Sequence, residues 1–258
     1  MKTTPALLAL CLFPLLASAA AVDAQRVPDA VPVAPRATDS APAALSPFIA
    51  TYDARNAGKP AGTASMRLAR EPARWRVELD ITGNRGVARL VQLDIDQETL
   101  FDERDGQYRP LSQSTVRKAL FFGRKVHGTY DWGRREARWT GDIKEARRAP
   151  VVLREGDMSG LLINLAIVRD AAPGRTLHYR FVDGGRVRDH EYAVSTGTEN
   201  VVVDGLSYDA MRVSRTNGGN DETIFWVARG VPTPVRILQR QDGEDAIDLQ
   251  LTAYQGVQ

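Results

Sequence analysis

The chain has 258 residues, of which 34 are basic and 32 acidic, so its net charge of +2 gives no electrostatic case for binding nucleic acid. Its one cysteine, Cys11, lies in the N-terminal apolar run. A chain processed after that run has no thiol for a disulfide, a nucleophile or a thiolate metal site. Lysine occurs only at positions 2, 59, 118, 125 and 144, so nearly all cationic side chains are arginines, which pair with carboxylate or phosphate as a planar fork.

Residues 1–24 have the layout of a secretory signal peptide. Lys2 is followed by Leu7, Leu8, Leu10, Leu12, Phe13, Leu15 and Leu16, a run interrupted by Pro14 and shorter than the roughly 20 residues of a membrane span. Small residues then offer cleavage sites at Ala17-Ser18-Ala19 or Val22-Asp23-Ala24. Leu10 stands where a lipoprotein signal needs a small residue, so lipidation of Cys11 is not expected. Cleavage after Ala24 removes Lys2 and Asp23 together and leaves the net charge unchanged. A periplasmic chain without a transmembrane segment is expected. Residues 25–47, rich in alanine and proline and without an aromatic, read as a disordered linker.

From residue 48 to 258 the pattern is that of a single β domain. Phe48-Ile49-Ala50-Thr51-Tyr52 opens a strand, and Ala64, Met66 and Leu68 alternate with Thr63, Ser65 and Arg67. Trp75, Val77, Leu79 and Ile81 alternate with Arg74, Arg76, Glu78 and Asp80, as in a strand buried on one face. Val87, Leu90 and Val91 have helical spacing, and Leu93 and Ile95 restore period two. Turn signals recur at Asp105-Gly106, Asp131-Trp132-Gly133, Asp183-Gly184-Gly185, Asp204-Gly205, Asn217-Gly218-Gly219 and Asp242-Gly243. Such pairs accept the positive φ angles of tight hairpins, so the spacing predicts an antiparallel meander.

One segment departs from this pattern. Asp157 is the expected N-cap of a helix whose Met158, Leu161, Leu162, Leu165 and Val168 share a face and which ends before Pro173-Gly174. The fold expected is mainly β: one antiparallel curved sheet, a half-barrel or flattened barrel, with one amphipathic covering helix. An open sheet needs such a cover and a closed barrel does not.

No catalytic motif stands out. His127, His178 and His190 match no zinc spacing, although the hairpin at Asp183–Gly185 would turn His178 and His190 towards each other beside Asp189 and Glu191. The carboxylate pairs Asp94/Asp96 and Asp102/Glu103 are what solvated strand faces supply. The glycines fall at hairpin turns and form no phosphate loop. No catalytic residue, metal or cofactor is therefore assigned. The aromatics, among them Trp75, Trp132, Trp139 and Trp226, sit mainly in strands, where most build the sheet core and some could line a cavity.

Several segments in order resemble one known family: Tyr52-Asp53 with Gly58 and Gly62, Phe101-Asp102-Glu103 leading to Tyr108 and Pro110, Asp157-Met158-Ser159-Gly160-Leu161-Leu162, and Thr223-Ile224-Phe225-Trp226-Val227 before Thr233-Pro234-Val235-Arg236-Ile237. Over residues 47–258 the chain resembles the exported bacterial family known as domain of unknown function 3108. The resemblance implies a β fold and no activity. The tryptophan strand and the Pro-Val-Arg-Ile run are also similar to half-barrel carriers of envelope lipids and lipoproteins, a likeness of fold that assigns no binding residue.

The expected function is non-enzymatic binding of an apolar or amphipathic envelope ligand, a lipid or glycan, or of a protein partner, within the curved sheet. Trp226 is the expected cavity aromatic, and Asp157 and Ser159 are the expected cap and hinge of the helical cover. Two alternatives stand beside this reading: a hydrolase of envelope glycans or esters using a histidine and a carboxylate, and a scaffold that pairs through a sheet edge.

Overall fold

The computed structural model describes residues 45–86, 94–119 and 122–256, all of them in one compact unit, Ala41–Gln258. The expected signal peptide, most of the expected linker and the helical turns at Val87, Leu90 and Val91 lie outside the described residues. Leu45 packs against the core, so the ordered domain takes in part of the segment expected to be linker.

One fifteen-stranded sheet accounts for most of the unit. Starting from β1 (Phe48–Asn56), it continues in chain order on one side. Those strands are β2 (Lys59–Glu71), β3 (Arg74–Thr82), β4 (Asp94–Arg104), β5 (Gln107–Ala119), β6 (Phe122–Asp131), β7 (Glu136–Gly141) and β8 (Val151–Val152). On the other side of β1 the chain returns from its C-terminus: β15 (Glu244–Gly256), β14 (Arg236–Gln241), β13 (Glu222–Ala228), β12 (Leu206–Arg215), β11 (Arg186–Val203), β10 (Thr176–Asp183) and β9 (Asp157–Met158). Every pairing is antiparallel except β9 with β10, which is parallel over two residues. The meander follows from turn chemistry. Ala57-Gly58, Asp105-Gly106, Asp204-Gly205 and Asp242-Gly243 all take positive φ at both positions, the twist that joins adjacent antiparallel strands.

The sheet is not closed by strand pairing, because β8 and β9 are its two edges. These edges are consecutive in the chain, and side chains fill the seam between them. Leu153 is fully buried with Tyr130, Ala137, Trp139 and Val182, and the Tyr130 hydroxyl donates to the Val182 carbonyl at 2.7 Å. Gly128, opposite Trp139 in the register, leaves space for the indole; a Cβ there would stand 2.4 Å from Nε1. Trp139 Nε1 donates instead to Gln113 Oε1 at 3.1 Å.

The helix α1 (Gly160–Asp170) lies on the concave face, in one core with residues of β1, β3, β4, β10 and β13. It covers the sheet as expected, yet buries a wider arc than its spacing predicts: Ile163, Ala166 and Ile167 are buried along with Leu161, Leu162 and Leu165. An amphipathic stripe suffices on a flat sheet, whereas a sheet curled round a helix meets it on several sides. No helix among the described residues is long and apolar enough to cross a membrane.

Candidate functional site

The curl leaves a cavity of about 440 Å3 at the N-terminal end of α1, within the range of small-molecule sites. Strand register builds its wall. Ile81, Ile95, Arg117 and Arg124 are successive cross-strand partners on β3 to β6, and Leu79, Gln97, Thr115 and Val126 form the parallel row one step further in. Phe181, Tyr192, Phe225, Ile237 and Leu249 complete the wall from the other half of the sheet, and Leu161, Ile163 and Asn164 of α1 provide the floor. Most of these positions are apolar, with amides set among them.

At the mouth the chemistry changes. Arg117, Arg124, Arg147 and Arg186 line it, the first, second and fourth exposed and Arg147 half-buried. None makes an ion pair with a described residue. Elsewhere arginines are paired repeatedly, as in Arg109 with Asp102 (2.5 Å), Arg236 with Asp248 (2.8 Å) and Arg240 with Asp245 (2.8 Å). The mouth's own carboxylates face the backbone: Asp142 accepts from Lys125 N at 2.8 Å, and Asp183 from Gly160 N at 3.2 Å. Gly185 sets this geometry, since its φ of +69° and its bare Cα let the β10–β11 turn approach Arg147, whose carbonyl would stand 2.2 Å from a Cβ there.

Several titratable groups in the cavity are shifted by burial. Asp183 is pushed up to about 6, chiefly by desolvation and against the pull of the Gly160 and Gly184 amides. His190 is lowered to about 4 by desolvation and then by the Arg215 and Arg188 charges. Its ring stacks on Phe181, with centroids 4.9 Å apart, and Nδ1 lies 3.3 Å from the Tyr192 hydroxyl. Tyr192 is itself raised to about 12 by burial.

A second cavity of about 800 Å3 lies at the C-terminal end of α1, between Phe48, Leu68, Tyr108, Leu165, Met211 and Val227. Its Arg169 is neutralised by Asp170 at 2.7 Å and covers the Tyr108 ring at 4.3 Å. Its other arginine, Arg229, makes no ion pair with a described residue, so this cavity offers one such cation where the first mouth gathers four.

Of the residues singled out from sequence, Ser159 stands at the start of the helix as expected, whereas Asp157 and Trp226 are placed differently. Ser159 caps α1, its Oγ accepting from Leu162 N at 3.4 Å and lying 2.9 Å from Thr99 Oγ1. Asp157 does not cap the helix. Its side chain is fully buried in β9, where it accepts from Arg180 Nη1 at 2.6 Å and from Arg154 N at 2.8 Å, fastening the edge strand to β10. Two residues too far from the first helical turn, it binds the strand that delivers the helix. Trp226 does not line the first cavity. Thr223 and Phe225 do, and period-two alternation turns Trp226 to the opposite face. There Nε1 donates to Glu199, and the Arg236 guanidinium lies 4.8 Å from the ring centre.

The histidines are also separated. His190 pairs with Tyr179 and His178 with Glu191, so the two stand on opposite faces of the sheet. His178 Nδ1 lies 3.6 Å from the Glu191 carboxylate at an exposed position outside both cavities. Among the described residues no group of three or more His, Cys, Asp or Glu is placed to hold a metal ion.

A long open sheet curled round one helix, with a cavity at the helix N-terminus, defines a β-barrel-like protein. The model of the family described as "Protein of unknown function (DUF3108)" matches residues 50–250, and the chain belongs to that family. Among solved structures, it is similar to a β-barrel-like protein of domain of unknown function DUF1849 from Brucella abortus, with a TM-score of 0.51 and 12% identity over 83% of this chain and 99% of that one. That likeness is one of fold. A DUF1089 family protein from Pseudomonas aeruginosa aligns at a TM-score of 0.35 and 11% identity, over 67% of this chain and 87% of that one. No curated protein matches the chain.

Proposed function

We propose that this is an exported, non-catalytic binding protein that holds an amphipathic molecule in the cavity at the N-terminal end of α1. One observation carries the reading: a concave wall of Leu79, Ile81, Phe225, Ile237 and Leu249 opens at a charged mouth. Apolar walls bury an apolar body, and a few placed polar groups orient its polar end. The hydrolase alternative receives less support, since His190 has no carboxylate partner, and His127, which lines a third pocket of about 540 Å3 with Glu78, Asp80, Asp96 and Glu98, makes no hydrogen bond or ion pair to any of them. The scaffold alternative is disfavoured because the edge strands β8 and β9 are two residues long and offer a peptide little backbone to pair with.

The reading is tested by filling the cavity. Gln97 faces it and makes no side-chain hydrogen bond to a described residue, so Gln97→Trp adds bulk without orphaning a partner. Binding of a fluorescent fatty-acid probe should be lost in this variant while its melting temperature stays within a few degrees of the wild type. Undiminished binding would place the probe elsewhere.

A further inference from the structure

The sheet register sets Arg117 directly opposite Arg124 on neighbouring strands. Like charges at such a position destabilise a sheet, and a strand selected for stability alone would carry a carboxylate at one of the two. Both side chains line the cavity mouth, and the Gly185 turn brings Arg147 and Arg186 to the same opening. Four guanidinium groups therefore share a mouth with two carboxylates, Asp142 and Asp183, that are each engaged with backbone amides.

The local field agrees with this count. Partial desolvation of this exposed side chain and the nearby Arg147 and Arg188 charges, against the attraction of Asp183, lower the pKa of Arg186. Guanidiniums without an ion pair among the described residues, set above an apolar pocket, are what an anion with an apolar tail would satisfy, because the planar fork gives two short charge-assisted bonds to a carboxylate or phosphate.

We infer that Arg117, Arg124, Arg147 and Arg186 form an anion-binding mouth, so that the cavity selects amphiphiles with a phosphate or carboxylate headgroup. This rests on the amphiphile reading above and narrows it to a chemical class. The apolar tail enters past Ile81, Ile95 and Ile247, and the headgroup stays at the arginines in contact with water.

The test is calorimetric titration of the purified full-length protein with three probes. Dodecyl phosphate and lauryldimethylamine oxide, neutral at the pH used, share one alkyl chain; inorganic phosphate has the charge without the chain. The expected result is that dodecyl phosphate binds about tenfold or more tightly than the amine oxide, the order of effect of hydrogen bonds to a charged group. That preference should shrink as salt is raised. R117Q/R124Q should erase most of it without lowering the melting temperature, since it also removes a like-charge pair. Equal affinity for the two amphiphiles, or a preference intact in both R117Q/R124Q and R147Q/R186Q, would overturn the headgroup inference and leave the amphiphile reading standing. Binding of neither amphiphile would remove both. Inorganic phosphate binding as tightly as dodecyl phosphate would also overturn the inference, leaving an arginine site for a free anion.

Discussion

Asp157 is the residue whose role the structure changes most, and its replacement separates the two roles cleanly. As a helix cap, its loss to alanine would cost about 1 kcal/mol, and serine would substitute well. As the buried partner of Arg180 it is worth more. Removing one member of a buried pair costs about 3–5 kcal/mol because the other charge is left uncompensated. Arg180 keeps 19% of its side chain exposed while Asp157 has none, so water relieves part of that penalty and the low end, about 3 kcal/mol, is expected. For a domain of this size that corresponds to a melting temperature lower by about 6–12 °C. Urea denaturation and thermal melts of Asp157→Ala and Asp157→Ser would measure it. The ion-pair role predicts that serine falls nearly as far as alanine, because its short hydroxyl does not reproduce the contacts with Arg180 and Arg154 N. A loss near 1 kcal/mol for alanine, or full recovery with serine, would refute the reasoning.

Phe225→Ala should weaken amphiphile binding several-fold, whereas Trp226→Ala should leave affinity intact and reduce stability, by roughly 3 kcal/mol for a buried large aromatic; probe titration beside urea denaturation reads both, and the reverse pattern would put Trp226 in the cavity. Gly128→Val should displace the Trp139 indole from Gln113 and cost about 1–3 kcal/mol, with a changed near-ultraviolet dichroism spectrum; an unchanged spectrum and stability would contradict the close packing at that seam. Two of the cavity's shifted groups predict opposing pH effects. Asp183, at about 6 when folded against an ordinary 3.8, holds its proton in the native state, so its contribution is present at low pH and is lost as pH rises through 6. His190, at about 4 when folded against 6.5, excludes its proton, so its contribution is present above pH 6.5 and is lost as pH falls through 4. Relative to wild type, Asp183→Asn should therefore gain stability as pH rises from 4 to 6, and His190→Gln should lose it; parallel pH profiles for all three proteins in urea denaturation would show that neither group is shifted.

The fold was legible because its signals are local. The Asp-Gly pairs at 105–106, 204–205 and 242–243 determine their hairpins through backbone sterics alone, and the alternation at Trp75, Val77 and Leu79 separates the two faces of β3. The helix was legible for the same reason, from Leu161 to Val168. Its cap was displaced by two positions because Asp157 and Ser159 both have capping chemistry, and only the parallel pairing of β9 with β10, a contact over more than twenty residues, gives Asp157 to Arg180. Trp226 was misassigned by hydrophobicity: a large aromatic in a strand reads as inward-facing, yet Phe225 beside it takes the inner face, and the outer position is made tolerable by Arg236 and Glu199. The arginine mouth gave no sequence signal at all. In a chain this rich in arginine, Arg117 and Arg124 read as solvated strand residues, and their opposition emerges only from the β5–β6 register.

The central claim is that the curled sheet holds an amphipathic ligand, and its most direct test is native mass spectrometry with lipid extraction on the mature protein purified from its own cells. The account predicts a stoichiometric adduct that is anionic and amphipathic, and that is lost in Gln97→Trp. A clean apo mass with nothing recovered on extraction, from protein that also fails to take up added dodecyl phosphate, would contradict it.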